Sequence, residues 1–234
     1  MVRRSEVMEG NRSKIAVVAA LEREVRPLIS QWRVIEKDYG GRRFRFFEDG
    51  KVVLVCGGIG AQAARRAAEA TIALFQPKVI YSAGFAGALD RRVKVGEVVR
   101  PARVISANDG SSIGVEGGDG VLVSFESVAS PEQKTKLRDS FGAHFVDMEA
   151  SAVAHATQVH GLGFAAVKVI SDELDFEFPA TEQFVDPQGN FREGRFAIFA
   201  ALRPWLWPKV LRLARNSRVA TQALCEELRK ILTT

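Results

Sequence analysis

The sequence predicts one α/β domain built on a mixed sheet. Three observations carry that prediction. Apolar runs of strand length recur along the chain, stretches with helical apolar spacing alternate with them, and glycine turns follow two of the runs. The 234 residues suit one core of this size. Residues 14–234 are expected to form that domain, after a disordered leader at 1–13.

Residues 15–20 are the first apolar run, a strand. Residues 22–31 follow as a helix, with Pro27 near its first turn. The runs 42–47 and 52–56 are antiparallel strands joined at Asp49-Gly50. Residues 57–60 are a glycine turn and 61–75 a helix. Residues 79–83 are a strand and 84–87 a second glycine turn. Residues 97–106 are a strand that Pro101 makes an edge or a bulge, and 108–120, rich in Gly, Asp and Ser, is a loop. A strand at 121–125 precedes a helix at 132–140, introduced by Ser130-Pro131.

The most informative unit is 145–172. Met148, Ala152, Val153, Ala156 and Val159 fall at helical spacing, and Gly161 and Gly163 close the helix. Residues 164–170 then read as a buried parallel strand, with Asp172 just past it. Residues 173–194 read as irregular, and helices are expected at 196–202, 206–214 and 219–232.

Composition narrows the function classes. The net charge of +5 is concentrated at the ends of the chain, so a general nucleic-acid surface is not expected. Two cysteines, Cys56 and Cys225, make no disulfide framework or metal spacing, which favours a reducing, cytoplasmic setting. No segment approaches the length of a membrane span. His144, His155 and His160 are not expected to make a metal site, since His155 and His160, five apart, fall on different helix faces, and all three read as structural or surface residues.

Several features could carry chemistry. Ligands of open α/β sheets bind beyond the carboxyl ends of strands, which makes Asp172 a candidate, with Glu149 at the other end of its unit. Glu22 and Glu24 follow the first strand. Acids favour a helix N-terminus anyway, but two together leave room for a catalytic carboxylate. Gly58 to Ala63 matches GxGxxA, yet no acid closes the next strand, so a tight packing turn is preferred over a dinucleotide site. Gly84 to Gly87 lets a ligand approach the backbone closely. The segment 195–218 carries Arg195, Arg203, Lys209, Arg212, Arg215 and Arg218 with no acid, interleaved with Phe196, Phe199, Trp205 and Trp207. It reads either as a helical cap with a solvated basic face or as an interfacial segment touching anionic lipid.

Residues 15–25, 56–61, 79–89 and 145–172, above all Asp147-Met-Glu-Ala150 with Ile170-Ser-Asp172, resemble the nucleoside phosphorylase superfamily. The resemblance is strongest to its 5′-methylthioadenosine/S-adenosylhomocysteine nucleosidases. It implies a three-layer α/β/α sandwich around a mixed, mostly parallel sheet, a homodimer or larger assembly, and cleavage of a purine–ribose bond with no metal or organic cofactor. It implies that Asp172 protonates purine N7, Glu149 hydrogen-bonds the ribose 2′-hydroxyl, Met148 packs on the sugar and Glu24 activates water. It also sets Gly84, Phe85, Ala86, Val128 and Ser171 against the substrate.

Phosphorylases of the superfamily hold phosphate with arginines where this chain has Glu24 and Ser82, so a hydrolase is expected. A phosphorylase and an inactive nucleoside-binding protein are the alternatives. Phe85 stands where a small polar residue is usual, and 108–120 is shorter than in a typical nucleosidase. The C-terminal third is similar to hopanoid-associated members acting on adenosylhopane, which would suit a peripheral membrane contact through 195–218.

Overall fold

The computed structural model describes residues 14–178, 182–186 and 189–233. The leader expected at 1–13 lies outside the described residues. The first strand, β1 (Ile15–Ala19), shows how the layers arise. Successive side chains of a strand point to opposite faces. Ala16 and Val18 pack with Phe46, Val55, Ala67 and Val153 on one side. Val17 and Ala19 pack with Val25, Leu54, Leu224 and Leu228 on the other. The centre of the sheet is therefore buried on both faces, and β1 reads as a continuous apolar run.

The helices on the first face are α2 (Ala61–Phe75) and α4 (Ala150–Val159). Those on the second are α1 (Glu22–Ile29) and α6 (Trp207–Leu232). The expected three-layer α/β/α sandwich around a mixed sheet is what forms. Strands β2 (Arg33–Tyr39), β3 (Arg42–Asp49) and β4 (Val52–Cys56) lead in antiparallel steps to β1, which pairs in parallel with β4 and with β5 (Val79–Ala88). Beyond β5 the sheet continues through β10 (Phe145–Asp147), β9 (Val121–Ser124), β7 (Arg103–Ser106) and β8 (Ser112–Gly114). Strand β11 (Gly163–Asp172) pairs in parallel with β5 and antiparallel with the short β6 (Val98–Val99).

Several expectations need correction. Residues 84–87 are not a turn: β5 runs through them to Ala88. Gly84 and Gly87 serve as gaps for side chains. Pro27 lies inside α1 rather than in its first turn. Pro101 breaks 97–106 into β6 and β7. The loop expected at 108–120 contains β8, and β2 and β10 were not expected; β2 is mostly exposed and β10 is a short strand. Asp172 ends β11 instead of following it, and Glu149 is the N-cap of α4. The irregular reading of 173–194 gives way at Glu182–Phe184, a 3-10 turn, and at the start of α5 (Glu193–Ala201). The helices expected at 206–214 and 219–232 are one helix, α6, because Asn216 and Ser217 between them do not break a helix that is packed along one side.

Candidate active site

The ends of β1, β10 and β11 deliver acidic side chains to one place. Each local turn explains its residue. Helix α1 starts after β1 and turns Glu24 inward, where it is 6% exposed; Glu22 stays outside, paired with Arg45 at 2.9 Å. Glu149 caps no helix N–H of its own. Its Oε1 accepts the Gly60 backbone N–H at 2.8 Å and its Oε2 that of Met148 at 3.3 Å. The GxGxxA turn thus positions a carboxylate. Asp147 accepts from Ser124 Oγ at 2.6 Å and from the Ala150 N–H at 2.9 Å, and pairs with Lys168 at 2.8 Å.

Two glycines of β5 make room. A Cβ on Gly84, whose φ is +154°, would sit 3.2 Å from Glu24 Oε2. A Cβ on Gly87 would sit 2.8 Å from Asp172 Oδ2. Asp172 itself is buried, with Ser171 Oγ donating to Oδ1 at 2.6 Å and Lys134 Nζ donating to Oδ2.

The electrostatics separate these groups. Burial, helped by the neighbouring Glu149, pushes the Glu24 carboxyl up to about 7, against the pull of Arg23 and Lys168. Its Oε2 is buried and has no hydrogen-bond partner among the described groups. Burial and then Asp147 raise Glu149 to about 6, opposed by Lys168 and the two backbone N–H groups. Burial alone would lower Lys168, but Asp147 and Glu149 outweigh it and hold the ammonium above its usual value.

Glu24, Met148, Glu149, Ser171 and Asp172, together with Gly84, Phe85, Ala86 and Val128, all line one cavity of about 170 Å³. Sequence reasoning named Asp147 within its motif but gave it no role, and it missed Lys134 and Lys168. A lysine inside the apolar run of β11 was a readable signal for the last, since a buried lysine requires an acidic partner. Lys134 sits in an ordinary amphipathic helix pattern and gave none. The histidines stay outside: His144 Nδ1 accepts the Val121 N–H at 3.1 Å, and His155 and His160 are exposed.

A second cavity, of about 670 Å³, shares Arg23, Ile59, Phe85, Val128, Met148 and Phe178 with the first. It extends between Phe191, Phe196, Val210 and Leu213. Its outer wall is α5 and the N-terminal half of α6. On the far side of that wall Ile198, Leu202, Trp205, Trp207 and Leu211 are 51% to 71% exposed. Among the described residues, no helix is long and apolar enough to cross a membrane.

Comparison with known proteins bears on the family and the fold. The sequence profile of the phosphorylase superfamily matches residues 14–132 and 115–202. A 5′-methylthioadenosine/S-adenosylhomocysteine nucleosidase of Staphylococcus aureus (strain JH9) is 28% identical over 206 residues, spanning 70% of this chain and 90% of that protein. Among solved structures, the nucleosidase of the same name from Neisseria meningitidis, in complex with methylthio-immucillin-A, superposes with a TM-score of 0.71 at 20% identity, covering 94% of this chain and 98% of that one. Futalosine hydrolase of Helicobacter pylori superposes with a TM-score of 0.66 at 18% identity, covering 93% and 98%. These structural likenesses are likenesses of fold.

Proposed function

The chain belongs to the phosphorylase superfamily, and on that premise we propose that it is a purine nucleosidase that hydrolyses the N-glycosidic bond of a 5′-substituted adenosine and releases adenine. The observation that carries the reading is Glu24: a buried carboxylate near 7 with one oxygen unpartnered. A group tuned there takes a proton from water at neutral pH. Glu24 and Glu149 together disfavour phosphate as the nucleophile.

The remaining steps follow from charge. As the C1′–N9 bond lengthens, the ribose becomes oxocarbenium-like and the base gains electrons. Glu149, held by two backbone N–H groups, faces the sugar and stabilises the positive charge while binding the 2′-hydroxyl. Asp172, at the opposite end of the 145–172 unit, delivers the proton to N7. Met148 packs against the sugar.

The adjoining chamber supports a 5′-substituent larger than methylthio. Methylthioadenosine, S-adenosylhomocysteine and adenosylhopane are the three candidate types, and the apolar lining favours the last. The exposed apolar residues between Ile198 and Leu211, in a segment that also carries Arg203 and Arg215, support a peripheral membrane contact, although Lys209 and Arg212 are paired with Glu177 and Glu173; the protein is otherwise cytoplasmic and a homodimer or larger. Adenine release from each of the three, with and without phosphate, tests the reading. No release from any of them by the folded protein refutes it, and a strict need for phosphate makes the enzyme a phosphorylase. Sedimentation with anionic but not zwitterionic vesicles is the expected result for the membrane contact.

A further inference from the structure

The base end of the site holds a group that the mechanism above does not use. Lys134, in the first turns of α3 (Pro131–Phe141), is 1% exposed, and its ammonium donates to Asp172 Oδ2 and to the Glu173 carbonyl, the latter at 2.6 Å. Its position is built. A capping box between Ser130 and Gln133 fixes the start of α3, and Lys134 N–H donates to the Ser130 carbonyl at 2.8 Å. Gly87 leaves the space, since a Cβ there would lie 3.2 Å from Lys134 Cε as well as against Asp172.

This arrangement conflicts with a neutral carboxylic acid as the resting proton donor. Both oxygens of Asp172 already accept hydrogen bonds, one from the Ser171 hydroxyl and one from the Lys134 ammonium, so the proton at this end of the site lies on the lysine side of the contact. The proton that N7 needs is one bond further away, on Nζ.

We infer that Lys134 is the proton reservoir for the departing base, passing its proton through Asp172. The inference rests on the nucleosidase reading. As the C1′–N9 bond breaks, its electron pair stays on the purine. The Lys134 proton moves to Asp172 Oδ2, and the carboxyl proton moves to N7. Lys134 is left as a neutral amine and regains its proton from water after the base departs, while the proton of the attacking water goes to Glu24. A purine anion is about as basic as an amine, so the overall transfer is nearly balanced, as efficient proton transfer requires. The other charges facing the pair are Glu173, itself paired with Lys94 at 3.8 Å and Arg212 at 3.5 Å, and, across the cavity, Arg23, Glu24, Glu149 and Asp147, the last paired with Lys168 at 2.8 Å. Lys136 on the outer face of α3 is paired with Glu132 at 2.8 Å.

The test is the pH profile of adenine release from methylthioadenosine by the wild-type protein, Lys134→Met and Lys134→Arg. A proton held by lysine persists well above neutral pH, and one held by a carboxyl group does not. The wild-type rate should hold from about pH 7.5 to about pH 9, and in Lys134→Met it should fall about tenfold per pH unit over that range. Lys134→Arg keeps the charge but does not release its proton, so it should lose rate as the Met variant does, by about 100-fold at pH 8. A wild-type profile that already falls tenfold per unit from neutral pH overturns the inference without any variant. So does an Arg variant with the wild-type rate, or a Met profile parallel to the wild type. A wild-type protein that releases no adenine at all is a different result: it refutes the nucleosidase reading, and this inference falls with it.

Discussion

Glu24→Gln should make the protein inactive and, at alkaline pH, more stable. In the folded state burial and Glu149 raise this carboxyl from 4.5 to about 7. At about 1.4 kcal/mol per pH unit, that displacement corresponds to about 3 kcal/mol. The sign follows from linkage. A folded-state value above the unfolded one means that the native protein binds the proton more tightly, so this group's stabilisation is complete below about pH 4.5 and is lost as pH rises through about 7. Glutamine carries no charge at any pH and escapes the loss. The variant and the wild type should therefore unfold at similar urea concentrations near about pH 4.5, and by about pH 8 the variant should be ahead by about 3 kcal/mol. Glu149, also raised, titrates in both proteins and largely cancels from the difference. Urea unfolding at several pH values, with adenine release measured on the same samples, is the assay. A stability difference that does not change with pH would show that Glu24 is not held near 7, and turnover retained by the glutamine variant would remove it as the base.

Asp172→Asn should lower kcat by about 100-fold to 10,000-fold, with substrate binding by calorimetry little changed; a near-normal rate would take the acid role away from it. Gly87→Ala brings a Cβ to within 2.8 Å of Asp172 Oδ2, so it should cost about 1–3 kcal/mol in urea unfolding and most of the activity, and a neutral outcome would mean that the pair is not held where the structure has it. Ala214→Trp, in the chamber wall, should raise KM for adenosines with long apolar 5′-groups and leave methylthioadenosine untouched; equal effects on both would separate the chamber from substrate choice.

The layers of the fold were legible because two-sided burial writes itself as uninterrupted apolar runs, as in β1 and β11. Strand β2 was not legible because its side chains face water and it is held by backbone pairing to β3. Residues 84–87 misled for a physical reason. Glycine signals absence of a side chain, and a turn is only one use of that absence; here it is clearance for Glu24 and Asp172. The acids of the site were readable because strand ends are where such sheets bind ligands. Their partners were less so. Lys168 contradicts its strand and could have been noticed, whereas Lys134 sits among Gln133, Thr135 and Lys136 and becomes exceptional only when α3 is laid against β11. The chamber was invisible because its wall is a tertiary arrangement of Phe191, Phe196 and Leu213.

Helix α6 has a consequence beyond forming that wall. Its C-terminal half is locked to the helix bearing Glu24: Cys225 Sγ lies 3.7 Å from the Glu24 carbonyl, and Arg229 donates to the Pro27 carbonyl at 2.8 Å. Its N-terminal half borders the chamber at Val210, Leu213 and Ser217. Over 26 residues, with no glycine and its single proline near the start, it is a stiff rod of about 39 Å. A rod transmits tilt. One piece of backbone therefore sets both the wall of the chamber and the seat of the helix that carries Glu24.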